Sequence, residues 1–267
     1  MNYRFFDYKY NIPGFESDLF STYHIIYIIL GYISCVLIAC FLNKVNHKKI
    51  SIFLKVLSIA AVIFEISKIS WESYYDITTG RGFNAGGILP LYTCSLFIYC
   101  VILAAWTKGK VKDVALSYLG TVGLIAGAIG VVYCNGLNWY PFWTFGAFYS
   151  LFFHYAMLAT GVFLLANGYK KLEWIDILKS WIPIVILSII SIPVNYKLGS
   201  DYMQVYDATG VPVLHDLGIK MGEIGIRPLF TAMMMLMYLP LSGIVVCGYK
   251  GIMFIISKCK KNEKCEE

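Results

Sequence analysis

Two side chains in this 267-residue chain are equipped for nucleophilic chemistry in apolar surroundings: the thiol of Cys94 and the imidazole of His154. Cys94 follows Leu89-Pro90-Leu91-Tyr92-Thr93 behind a Gly86-Gly87 pair, and His154 stands in the apolar run Leu151-Phe152-Phe153-His154-Tyr155. An imidazole that takes a thiol proton lets the sulfur attack an ester carbonyl, giving an acyl-thioester that water or a hydroxyl then resolves. A thiol suits such a site better than a serine hydroxyl, since it is more easily deprotonated and less costly to bury. A span beginning near residue 87 puts Cys94 about 10 Å from its start, too far for the helix dipole to activate the sulfur, so a base is required. His154 lies about 14–18 Å along its own span, a depth compatible with contact. The alternative reading makes Cys94 a packing residue and His154 a structural hydrogen-bonding group.

A second group is charged. Glu65, Lys68 and Glu72 fall at i, i+3 and i+7, on one face of a helix. They read either as the polar wall of a cavity, as in a transporter, or as a structural ion pair near the interface. His24, four residues into the first span, is placed to reach headgroups, while His47 and His215 fall in loops. Among the eight cysteines, Cys35, Cys40, Cys94, Cys100 and Cys247 lie in spans and Cys259 and Cys265 in the tail, so no disulfide framework is expected. A Cys94–Cys134 bridge is the one pairing worth testing. No CxxC or HxxxH spacing occurs, so neither a metal nor another cofactor is expected. The last span holds no lysine for a retinal Schiff base, and no filter loop or charged ring marks an ion pore.

The elements that must position these groups are membrane spans. Hydrophobic residues make up 58% of the chain and charged ones only 14%, with a mean hydropathy of +0.66, whereas a soluble domain carries roughly a quarter charged residues. Seven apolar segments, 20–42, 52–71, 87–106, 114–133, 142–166, 175–193 and 228–248, predict an all-α, seven-helix transmembrane bundle, because backbone polar groups cannot face lipid unpaired. Alternate connectors carry Lys44, Lys48 and Lys49, then Lys108, Lys110 and Lys112, then Lys170 and Lys171, and finally the lysine-rich tail. The positive-inside rule therefore places the N-terminus outside and the C-terminus in the cytoplasm. Trp71, Trp139 and Trp143 near outer ends, with Trp106 and Trp174 near inner ends, fit interfacial belts. The net charge of +6 is spread by topology and forms no stripe, which argues against nucleic acid. The division that follows is an extracytoplasmic segment 1–19, a transmembrane domain 20–249 and a basic tail 250–267. No cleavable signal peptide is visible. The connector from Asn195 to Arg227 is long enough to be functional or to hold an interfacial helix.

With Leu89-Pro90-Leu91-Tyr92-Thr93-Cys94, Phe153-His154, Val194-Asn195-Tyr196 and Gly199-Ser200-Asp201-Tyr202-Met203 in hand, the chain resembles the YwaF family of bacterial integral membrane proteins. That family is similar to an animal membrane acyltransferase of ether phospholipids and, distantly, to androgen-induced hydrolases of fatty-acid esters. The resemblance implies an acyl hydrolase or acyltransferase of lipid esters in a bacterial cytoplasmic membrane, with Cys94 and His154 catalytic and membrane lipids as partners. Tyr92, Tyr155 and Asn195 are candidate oxyanion donors and, with Glu65, candidate substrate contacts. The hydrolases use threonine in the nucleophile's place; Thr93 here is adjacent to Cys94, points about 100° from it on a helix and is not assigned that role. Tyr92 and Asp201 depart from the His and Asn usual in the pattern. The rival class is a non-enzymatic transporter or sensor using the polar face of the second span and the long outer loop.

Overall fold

A computed structural model describes residues 4–9, 12, 14–209 and 211–266, and among them every regular element is a helix. The α-helices are α1 (Thr22–Phe41), α2 (His47–Thr78), α3 (Ala85–Ile88), α4 (Leu96–Trp106), α5 (Gly109–Gly120), α6 (Val122–Val132), α7 (Phe145–Ala166), α8 (Ile175–Leu198), α9 (Pro212–Glu223), α10 (Arg227–Leu236) and α11 (Tyr238–Glu266). Six stretches are long and apolar enough to cross a membrane: α1, α2, α5 with α6, α7, α8, and α10 with α11. The expected all-helical membrane bundle is therefore present, with six such stretches and α4 as a shorter apolar helix.

Local chemistry sets the helix ends. Ser21 accepts from the His24 N–H at the start of α1, and Asn46 accepts from the Lys48 N–H at the start of α2, each satisfying an orphan donor of a first turn. Gly199 ends α8 in the left-handed region at φ 60°, where a side chain is disfavoured. Pro240 cannot donate to the Leu236 carbonyl, and close by the Trp181 indole donates to the Met235 carbonyl at 2.7 Å.

The third expected span differs most from its sequence reading. Residues 87–106 are not one helix: α3 is four residues long, Leu89–Ser95 is unwound, and α4 has eleven residues. Proline at 90 pushes its predecessor out of helical conformation, and Leu89 is extended at φ −63°, ψ 144°. Eleven residues rise about 16 Å, half of a ~30 Å hydrocarbon core.

Successive connectors alternate between two faces of the bundle. On the face holding the N-terminal segment, Asp18 accepts from the Phe142 N–H, and the Phe6 carbonyl accepts from the Trp71 indole. Tyr8 is buried there, stacked on Tyr75 and edge-on to Trp71. The expected outer segment is thus folded over the bundle. On the opposite face Asn167 bridges to Val45 and Leu42, while Lys170 joins Asp113 of α5 to the buried Asp176 of α8 at 2.6 and 2.7 Å. Helix α11 runs straight on from the expected last span through the expected basic tail.

Helix α5 packs against both α4 and α8, whereas α4 and α8 barely touch. The closest approach is α6 on α7. A Cβ added at Gly127 would meet the Leu158 backbone nitrogen and, at 2.8 Å, the His154 carbonyl oxygen. His24 does not reach a headgroup. It is fully buried, accepting from the Phe20 N–H at 3.0 Å and donating to the Val131 carbonyl at 3.1 Å, which ties α1 to the end of α6. The seven cysteines whose side chains are described are free, Cys265 lying outside them. Cys134 donates to Ser150 Oγ at 3.2 Å, so the Cys94–Cys134 bridge is not formed.

Candidate functional site

Unwinding before α4 changes the chemistry available to Cys94. Helix α4 begins at Leu96 with Ser95 as its N-cap, so the thiol stands one residue before the cap and not 10 Å down a helix. A helix N-terminus presents unpaired N–H groups and a partial positive charge. The Ser95 N–H is already used, donating to the Tyr92 carbonyl at 3.0 Å. Neither the Cys94 nor the Leu96 N–H makes a backbone hydrogen bond among the described residues. Cys94 packs against the main apolar core and is partly buried. The turn is braced on all sides: Tyr118 donates to the Thr93 carbonyl at 3.3 Å, Thr93 Oγ1 shares a hydrogen bond with the Tyr238 hydroxyl at 3.2 Å, and Tyr99 reaches back to the Pro90 carbonyl at 3.0 Å.

The charged face of α2 abuts this turn. Lys68 Nζ lies 3.2 Å from Glu72 and 4.0 Å from Glu65, and donates to the Ile88 carbonyl of α3 at 3.4 Å. Glu65 is 5% exposed; one carboxylate oxygen accepts the Tyr149 hydroxyl of α7 and the other has no hydrogen-bond partner. The structure shows this face as a paired ion cluster that reaches the backbone of α3 through Lys68. Tyr149 carries no local sequence signal among 21 tyrosines and emerges only from helix packing.

His154 enters the interior from another wall. Its Nδ1–H donates to the Ser150 carbonyl one turn back at 2.7 Å, which fixes the neutral tautomer with the lone pair on Nε2. Nε2 has no hydrogen-bond partner among the described residues. The ring lies over Gly130 of α6, where an added Cβ would overlap the imidazole. No hydrogen bond joins His154 to Cys94. Sequence reasoning names both residues but misses Gly130, whose lack of a side chain makes room for the ring.

The other expected contacts separate. Tyr92 donates to the Gly87 carbonyl at 3.3 Å and packs edge-on to Tyr202, whose own hydroxyl, pushed up to about 12 by burial, donates to Ala85 and accepts from the Leu89 N–H. Tyr92 also lines a cleft of about 540 Å3 with Tyr133, Trp139, Asp201 and Gln204. Tyr155 turns to α1, its hydroxyl 2.6 Å from Ser34 Oγ. Asn195 spends its amide on the backbone of Tyr202, donating to the carbonyl at 3.0 Å and accepting the N–H at 2.8 Å. Asp201 accepts three backbone N–H groups, from Tyr206, Asp207 and Thr209, so this position serves as a loop cap that needs only acceptors. Among the described residues, no three His, Cys, Asp or Glu side chains gather as a metal site.

Fold and interior together define a multi-pass helical membrane protein, with a thiol just before a helix N-terminus and a tautomer-fixed imidazole on another helix. The chain belongs to the TMEM164 family, whose model matches residues 19–241. No curated protein and no solved structure matches it.

Proposed function

We propose that the protein is a membrane-embedded acyl hydrolase or acyltransferase of lipid esters, with Cys94 as nucleophile and His154 as base. The observation that carries this reading is the unwinding of Leu89–Ser95, which brings the thiol to the N-terminus of α4. His154 Nε2 takes the thiol proton, directly or through one water. The sulfur attacks the ester carbonyl carbon, and the N–H groups of Cys94 and Leu96 receive the oxyanion. The C–O bond breaks, and the departing alkoxide recovers its proton from His154. Water or a lipid hydroxyl, deprotonated by the same nitrogen, then cleaves the thioester. The free N–H groups take over the oxyanion role expected of Tyr92, Tyr155 and Asn195, of which Tyr92 stays at the entrance and the other two act structurally. The lysine-bearing connectors favour a cytoplasmic placement for the face opposite the N-terminal segment, in the cytoplasmic membrane of a bacterium.

The test is intact-mass analysis of the purified chain after exposure to a long-chain p-nitrophenyl ester. A hydroxylamine-labile acyl adduct is expected on Cys94, absent in Cys94→Ala and strongly slowed in His154→Ala. No adduct on Cys94 at any chain length rejects the reading. Loss of cellular function in Glu65→Gln, with Cys94→Ala silent, would favour a transporter built on the α2 face.

A further inference from the structure

Leu91, on the turn that holds Cys94, lines an apolar groove. Helix α4 presents Leu96, Tyr99, Cys100 and Leu103, spaced i, i+3, i+4 and i+7 so that they share one face. Helix α8 presents Pro183, Ile186 and Ile190 in the same spacing toward them. Because α4 and α8 both rest on α5 and barely touch each other, the two faces enclose a groove of about 340 Å3. Its upper end is Leu91 of the unwound turn. The one hydroxyl on its wall, Tyr99, is already tied to the Pro90 carbonyl, leaving nothing polar for an occupant to satisfy.

We infer that this groove seats the acyl chain of the ester attacked by Cys94, and that its depth sets chain-length preference; the inference rests on the thioester reading above. Leu91 and Leu96 flank Cys94 in the chain and both line the groove, so the tail of an ester held at the sulfur has apolar side chains to follow. The faces extend about 10 Å along the helices, from Leu96 to Leu103. A second groove of equal volume lies against α1, α2 and α7, lined by Phe53, Leu57 and Phe163 among others. None of its walls belongs to the Leu89–Ser95 turn, whereas Leu91 of that turn lines the α4/α8 groove.

Two measurements on the full chain in vesicles test this. An ester probe carrying a diazirine at the tail end is photolysed with Cys94→Ala, which binds without turnover, and the cross-linked peptides are mapped. Adducts on α4 near Leu103 and on α8 near Ile186, reduced by excess unlabelled ester, are expected. Adducts spread over lipid-facing helices, or concentrated at the α1/α2/α7 groove, overturn the assignment. In chains with Cys94 intact, Ile186→Trp fills the groove and is expected to shift acylation toward short-chain esters by about tenfold or more. An unchanged preference overturns the inference while acylation itself still upholds the thioester reading. Competed cross-linking in the groove with no acylation of Cys94 has the opposite meaning, a tail site retained and the thioester chemistry rejected.

Discussion

Gly130→Ala probes whether His154 is held in place by the α6–α7 contact. A Cβ at this position falls on the imidazole carbons and lies 2.7 Å from Nε2. The ring cannot simply swing aside, because Nδ1 is held by the Ser150 carbonyl at 2.7 Å. Relief requires either separating α6 from α7 or breaking that bond. Overpacking costs about 1–3 kcal/mol, and losing the hydrogen bond adds about 0.5–1.5 kcal/mol. Gly31→Ala is the control, since its Cβ meets Tyr155 at an ordinary 3.7 Å. Both substitutions gain the same ~0.5–1 kcal/mol of helix preference, so the difference between them isolates packing on His154. Thermal unfolding in detergent should place Gly130→Ala below Gly31→Ala by at least ~2 °C. Acylation of Cys94 by the ester probe should fall about 100-fold, as expected when a reacting group is displaced by an ångström. Equal melting and equal acylation of the two variants would show that the imidazole is not fixed by this contact.

Two further perturbations address the charged clusters. Tyr149→Phe removes the hydroxyl from the buried Glu65 carboxylate and should cost about 1–3 kcal/mol in unfolding measurements; if the cost does not shrink in a Glu65→Gln background, the two side chains are not coupled. Lys170→Met leaves Asp176 buried with Ser117 and a more distant Lys179 at 3.7 Å, a loss of about 3–5 kcal/mol that Asp176→Asn should partly restore, and a variant as stable as the parent would rule out a structural role for the pair.

Much of the architecture is legible in the sequence because lipid imposes a rule that residues obey one segment at a time. Long apolar runs must be helices, and all seven expected segments contain helix, with alternation between two faces set by the order of the chain. Cys94, His154 and the Glu65–Lys68–Glu72 face also stand out locally, since a thiol, an imidazole or a charge in such a run is costly to place. Other features depend on groups far apart in the chain. Pro90 signals a helix start, but the loss of helix through Ser95 depends on Tyr99, Tyr118 and Tyr202, which supply the partners that an unwound backbone needs inside a bundle. Gly130 looks like any small residue in an apolar segment until α7 lays His154 across it. Asn195 and Asp201 have the chemistry of a site but are consumed by nearby loop backbone. The sequence by itself determined which segments enter the membrane and which side chains are too polar to be there without cause. Only the tertiary structure decided that Cys94 meets a helix N-terminus and Glu65 meets Tyr149, because hydrogen-bond geometry is set by how helices pack and not by what each contains.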